Sequence, residues 1–150
     1  MMKIGGVATL AFWCLAACSS AAPEAPLAVA VGTAFTLPVG GTAQVGQTGV
    51  RVGVEAVSAD SRCPKGAQCV WAGQASVRVW LQQGRGDRQT LDLHLPAMAG
   101  PPVQAFGHQV QLLQLDPLPV SGKPIARADY RATLLLLLTP PDTPAAISER

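Results

Sequence analysis

The chain has 150 residues, with 11 Lys and Arg against 9 Asp and Glu and a formal net charge of +2. A balance this near neutral, with its basic residues scattered, excludes an electrostatic footprint for nucleic acid and a polybasic membrane patch. The length suits one domain and not two.

The first twenty residues read MMKIGGVATLAFWCLAACSS. Lys3 supplies a positive start, and Ile4 to Ala17 form an apolar stretch with the layout of a secretory signal, too short to span a bilayer. Leu15-Ala16-Ala17-Cys18 resembles the lipobox of bacterial lipoproteins, in which small residues precede a cysteine that is acylated before cleavage. The resemblance implies a signal peptide over residues 1–17 and a mature chain that starts at Cys18, with lipid on its sulfur and its amine. Several acyl chains make such an attachment stable, whereas one holds only marginally. By the same resemblance an aspartate after the cysteine would favour the inner membrane, and Ser19 leans the expected address to the outer membrane. Loss of Lys3 leaves 10 basic residues against 9 acidic ones.

Residues 18–32 are rich in alanine and proline and read as a lipidated tether. At the other end, residues 140–150 (PPDTPAAISER, with three prolines in its first five residues) read as a disordered tail. Residues 33–139 carry the expected domain. Val50, Val52 and Val54 alternate with Arg51, Gly53 and Glu55; Val77, Val79 and Leu81 alternate with Arg78 and Trp80; Leu91, Leu93 and Leu95 alternate with Asp92 and His94. Alternation of this kind puts one face of each strand on a core. Gly, Pro, Asp and Ser clusters such as QQGRGDR and PLPVSGKP separate the runs. The pattern predicts an all-β fold, an antiparallel β-sandwich of immunoglobulin-like type or a small barrel. Adjacent Leu112 and Leu113 predict a bulge or a change of face. The run Leu134 to Leu138 predicts a central strand buried on both faces, with a helical turn as the alternative.

With Cys14 in the signal and Cys18 lipidated, Cys63 and Cys69 are the thiols left in an oxidising compartment, so a disulfide between them is expected. Five intervening residues do not suit a redox motif or a zinc site, which favour shorter spacings. Asp60, Ser61, Pro64 and Gly66 are turn formers, which places the loop between two strands at one end of the domain.

The segment DSRCPKGAQCVWAGQASVRV resembles the signature of a group of small bacterial lipoproteins that carry an Asp-Ser-Arg-Cys-Pro and Cys-x-Trp-x-Gly pattern. Asp60, Ser61, Arg62, Cys63, Pro64, Cys69, Trp71, Ala72 and Gly73 match it, and Val110-Gln111-Leu112, Pro117, Pro119 and Tyr130 fit the same layout. The resemblance runs from about Thr33 to Pro140. It implies a lipid-anchored β domain and carries no activity with it.

Arg62, Lys65, Gln68 and Trp71 are the candidate partner-binding residues, because a closed loop on a rigid scaffold loses little entropy on binding. Each has a plainer reading. Valine and alanine around Trp71 favour a core tryptophan that covers the disulfide. Arg62 reads as a solvated partner of Asp60. Trp80 shares the outward phase of Arg78, which calls for a covering loop or layer, or for an exposed contact surface. His94 and His108 fall on opposite phases, against a shared site. His94 with Met98 is a weak pair of copper ligands, and no metal or other cofactor is expected.

No Gly-x-Ser-x-Gly elbow, His-Glu-x-x-His helix or phosphate loop is present, and the carboxylates are dispersed. The expected function is therefore a non-enzymatic lipoprotein of the cell envelope that presents a β-sandwich for binding or assembly. Its partners would be the membrane, through Cys18, and an envelope protein, with no nucleic acid. The alternative is a hydrolase inhibitor acting through the Cys63–Cys69 loop, with Lys65 as its specificity residue.

Overall fold

Alternating apolar residues bury one face of a strand only where a second sheet covers it. The computed structural model, which describes residues 26–96 and 103–139, supplies two such sheets. Among these residues are nine strands: β1 (Leu27–Val29), β2 (Phe35–Pro38), β3 (Thr42–Val45), β4 (Val50–Asp60), β5 (Ala75–Gln83), β6 (Arg88–Leu95), β7 (Val103–Ala105), β8 (His108–Asp116) and β9 (Arg131–Leu138). One sheet has the order β1-β3-β4-β5-β6 and the other β2-β9-β8-β7. Every pair is antiparallel except β1 with β3. Both sheets are open, so the fold is a β-sandwich and not a closed barrel.

The inward phases are the ones the alternation predicts. Val50, Val52, Val54, Val77, Val79, Leu81, Leu91 and Leu93 of the larger sheet share one cluster with Leu37, Val110, Leu112, Leu115, Ala132, Leu134 and Leu136 of the smaller. Fully burying a valine or leucine contributes about 1.5–3 kcal/mol, so this aliphatic layer dominates the stability. The register slips between Leu112 and Gln114, and Leu113 turns outward as a bulge residue. In β9, flanked by β2 and β8, Leu134 and Leu136 are buried, but Leu135 and Leu137 are only half-buried and Leu138 is exposed. The expectation of burial on both faces is met on one face only.

Two further expectations are corrected. The first strand begins at Leu27, inside the segment expected to be tether, because Val29 is buried and β1 pairs with β3. Trp80 lies neither under a second layer nor on an exposed contact surface. It pairs across the sheet with Gly53, whose missing side chain leaves room for the indole: a Cβ there would fall 2.4 Å from the ring. The Arg88 guanidinium covers the other side, 4.0 Å from the ring centroid. The tryptophan thus lies flat on the outer face, held by a glycine below and a cation above.

The signal peptide, Cys18, most of the tether, Met98 and the tail over 140–150 lie outside the described residues.

Candidate binding surface at the disulfide end

Strand register defines one end of the sandwich. The end of β4 meets the start of β5 at Asp60 and Ala75, and Ala75 in turn faces Leu95 at the end of β6. In the other sheet, Asp116 at the end of β8 faces Arg131 at the start of β9. The β4–β5 hairpin continues past its strands: the Ser61 N–H donates to the Gln74 carbonyl at 2.8 Å and the Cys63 N–H to the Ala72 carbonyl at 2.9 Å. Beyond them, Cys63 and Cys69 are joined by a disulfide. Closing a loop this short is worth about 2 kcal/mol through the entropy of the unfolded chain. The Lys65 N–H donates to the Pro119 carbonyl at 2.8 Å, and Lys65 bridges Val120, so the loop that follows β8 runs beside the disulfide loop.

Beneath the loop sits a polar cluster that joins the two sheets. Arg62 donates to both carboxylate oxygens of Asp60, from Nε at 2.8 Å and from Nη2 at 2.7 Å. Its Nη1 donates to the Leu115 carbonyl, and Nη2 also reaches the Pro117 carbonyl at 3.0 Å. The Tyr130 hydroxyl donates to Asp60 Oδ2 at 3.1 Å. The side chains of Arg62 and Asp60 are only 8% and 9% exposed. A planar, five-donor guanidinium suits this task, since it can grip a carboxylate in a fork and still serve two carbonyls.

Burial alone would push the Asp60 carboxyl up, but the hydrogen bonds and charge of Arg62, with the Tyr130 hydroxyl, bring it below its ordinary value. The hydrogen bond to Asp60 raises the Arg62 guanidinium further. Burial, then the charge of Asp60 and the bond to it, raises the Tyr130 phenol. A carboxyl lowered in the folded state adds stability that is complete above its unfolded value of about 3.9 and is lost as pH falls through the lower folded value. A raised phenol adds stability that is complete below about pH 10 and is lost above it. Urea denaturation across pH should therefore show the Asp60 contribution vanish in acid, with Asp60→Asn flattening that acid limb.

The structure separates the four candidate residues. Lys65, Gln68 and Trp71 are exposed on the loop, whereas Arg62 is buried and unavailable to a partner. Its expected reading as a solvated ion pair is corrected as well, because the second sheet supplies carbonyl acceptors that exclude water from it. Trp71 is not a core residue covering the disulfide. It is 81% exposed and its neighbour Val70 is 88% exposed. Leu118 and Val120 on the adjacent loop are exposed too.

The histidines stay apart from this end's polar cluster. His94 Nδ1 is 3.0 Å from the Ser76 hydroxyl, while His108 is buried in the other sheet with Nδ1 on the Phe106 carbonyl. Among the described residues no group of three or more His, Cys, Asp or Glu is placed to hold a metal. Val70, Leu118, Val120 and Tyr130 were not legible as parts of this end, except that Tyr130 stood at the start of the last apolar strand. Comparison with protein-family models, with curated proteins and with solved structures found no match for the chain.

Proposed function

We propose that the protein is a non-enzymatic lipoprotein of the bacterial cell envelope, anchored through Cys18, which presents the disulfide end of its sandwich as a binding surface. The observation that carries this reading is the pairing of a stiff base with an uncovered apolar tip. The disulfide, the Lys65–Pro119 bond and the Arg62 cluster hold the loop, while Val70 and Trp71 project from it almost fully exposed. Large apolar groups held rigidly in water favour association, because little conformational entropy remains to be lost. Asp60, Arg62 and Tyr130 satisfy one another below the surface, which suits a structural role. The hydrolase-inhibitor alternative is favoured less, since the two most exposed residues of the loop end, Val70 and Trp71, are apolar and lie after Cys69, outside the disulfide-closed segment that carries Lys65.

The anchor is tested by expressing the full chain in a bacterial host with an alkyne-bearing fatty acid. Label on the wild type, absent from Cys18→Ala, is the expected result. An unlabelled wild type would overturn the reading.

A further inference from the structure

The geometry points to a specific occupant for the apolar tip: the surface of the bilayer that holds the lipid anchor, with Trp71 and Val70 seated in its interfacial layer. This deepens the proposed function and rests on lipidation of Cys18. Three independent features support it.

The first is direction. Strand β3 runs opposite to β4, and β1 runs parallel to β3, so β1 travels away from the disulfide end. Leu27, where the tether joins the fold, is therefore the end of β1 nearer to the side on which Trp71 lies.

The second is length. Leu27 stands level with Ala43 and Val52 across the sheet. Val52 faces Leu81, and the ten steps along the chain from Leu81 back to Trp71 span at most about 33 Å at about 3.3 Å per residue. The nine steps from Cys18 to Leu27 span at most about 32 Å when extended. Fully extended, the anchor thus just reaches the level of Trp71, with too little chain to hold the bilayer beyond it.

The third is chemistry. Residues 61–86 and 117–128 contain no Asp or Glu. The loops that meet at Lys65 and Val120 present exposed Val70, Trp71, Leu118 and Val120 together with the exposed cations Lys65 and Lys123. Tryptophan with nearby lysine is the combination that settles at the boundary between headgroups and acyl chains, the ring among the chains and the ammonium on lipid phosphate. A tip of this kind would hold the sandwich upright on the membrane instead of letting it swing on its tether.

The test uses the full lipidated chain, as a Trp80→Phe variant, in vesicles of phosphatidylethanolamine and phosphatidylglycerol. With the signal removed, Trp71 is then the sole tryptophan. The expected result is a blue-shifted emission, quenching by lipids brominated near the headgroup, and several-fold lower quenching by aqueous iodide than in an unlipidated Trp80→Phe chain starting at Ser19, without vesicles. Lys65→Glu with Lys123→Glu should return part of the iodide access. Flotation of the vesicles and the mass of the N-terminal peptide report the anchor separately. If the protein floats and Trp71 stays open to iodide, the docking is overturned and the anchor stands. If Cys18 carries no lipid, the anchor fails and the docking falls with it. Shielding of Trp71 in native envelopes but not in protein-free vesicles would assign the tip to a protein partner and overturn the bilayer as its occupant.

Discussion

Replacing Arg62 with methionine should cost about 3–5 kcal/mol of folding stability, the range for removing one partner of a buried ion pair. The length of the arginine stem is kept, so the loss is electrostatic. Asp60 would keep a carboxylate with Tyr130 as its one remaining side-chain donor, and the Leu115 and Pro117 carbonyls would lose the donors that cross between the sheets. A domain of this size has a total stability of about 5–15 kcal/mol, so the variant should unfold at markedly lower urea. The sign of its pH dependence is the sharper test. In the wild type the Asp60 contribution fades as acid protonates it. Without Arg62, burial dominates and raises the carboxyl, so protonation relieves the penalty and the variant recovers toward the wild type as pH falls. Adding Asp60→Asn to Arg62→Met should likewise recover much of the loss, because it removes the stranded charge. Equal stability of wild type and Arg62→Met at neutral pH would show that the cluster is solvated after all.

This cluster also marks where sequence reasoning stopped. The inward phases of β4, β5 and β6 were legible because alternation is a local property of each strand, and the adjacent Leu112 and Leu113 announced their own bulge. Arg62 was not, because its deciding acceptor is the Leu115 carbonyl, 53 residues away in the other sheet. Trp71 failed for a different reason. Past the Cys63–Ala72 bond the hairpin leaves the sheet, so neither the period of a strand nor the valine and alanine beside it says which way a side chain points. For Trp80 a signal did exist: Gly53 and Trp80 both occupy outward phases of neighbouring strands, and a glycine in that position offers a seat for a ring.

Gly73→Ala is expected to cost about 3 kcal/mol, from two separable sources. Gly73 has φ of 72°, a left-handed conformation that penalises any residue with a Cβ by about 1–2 kcal/mol. In addition, a Cβ built there falls 1.9 Å from the Ser61 carbonyl oxygen, and overpacking of this kind adds about 1–3 kcal/mol. The obstacle is backbone, so no rotamer change relieves it. Ser61 must move away from Gly73, which opens the hydrogen bonds between Ser61 and Gln74 and loosens the strand ends that carry Asp60 and Arg62. Gly66 supplies the control. Its φ is 83° but nothing lies within 4 Å of a Cβ there, so Gly66→Ala should show the conformational penalty alone. A urea series on both variants reads the difference directly. If Gly73→Ala proved no worse than Gly66→Ala, the hairpin would be yielding at its base, and a tip carried on a yielding base could not hold Trp71 in a fixed position.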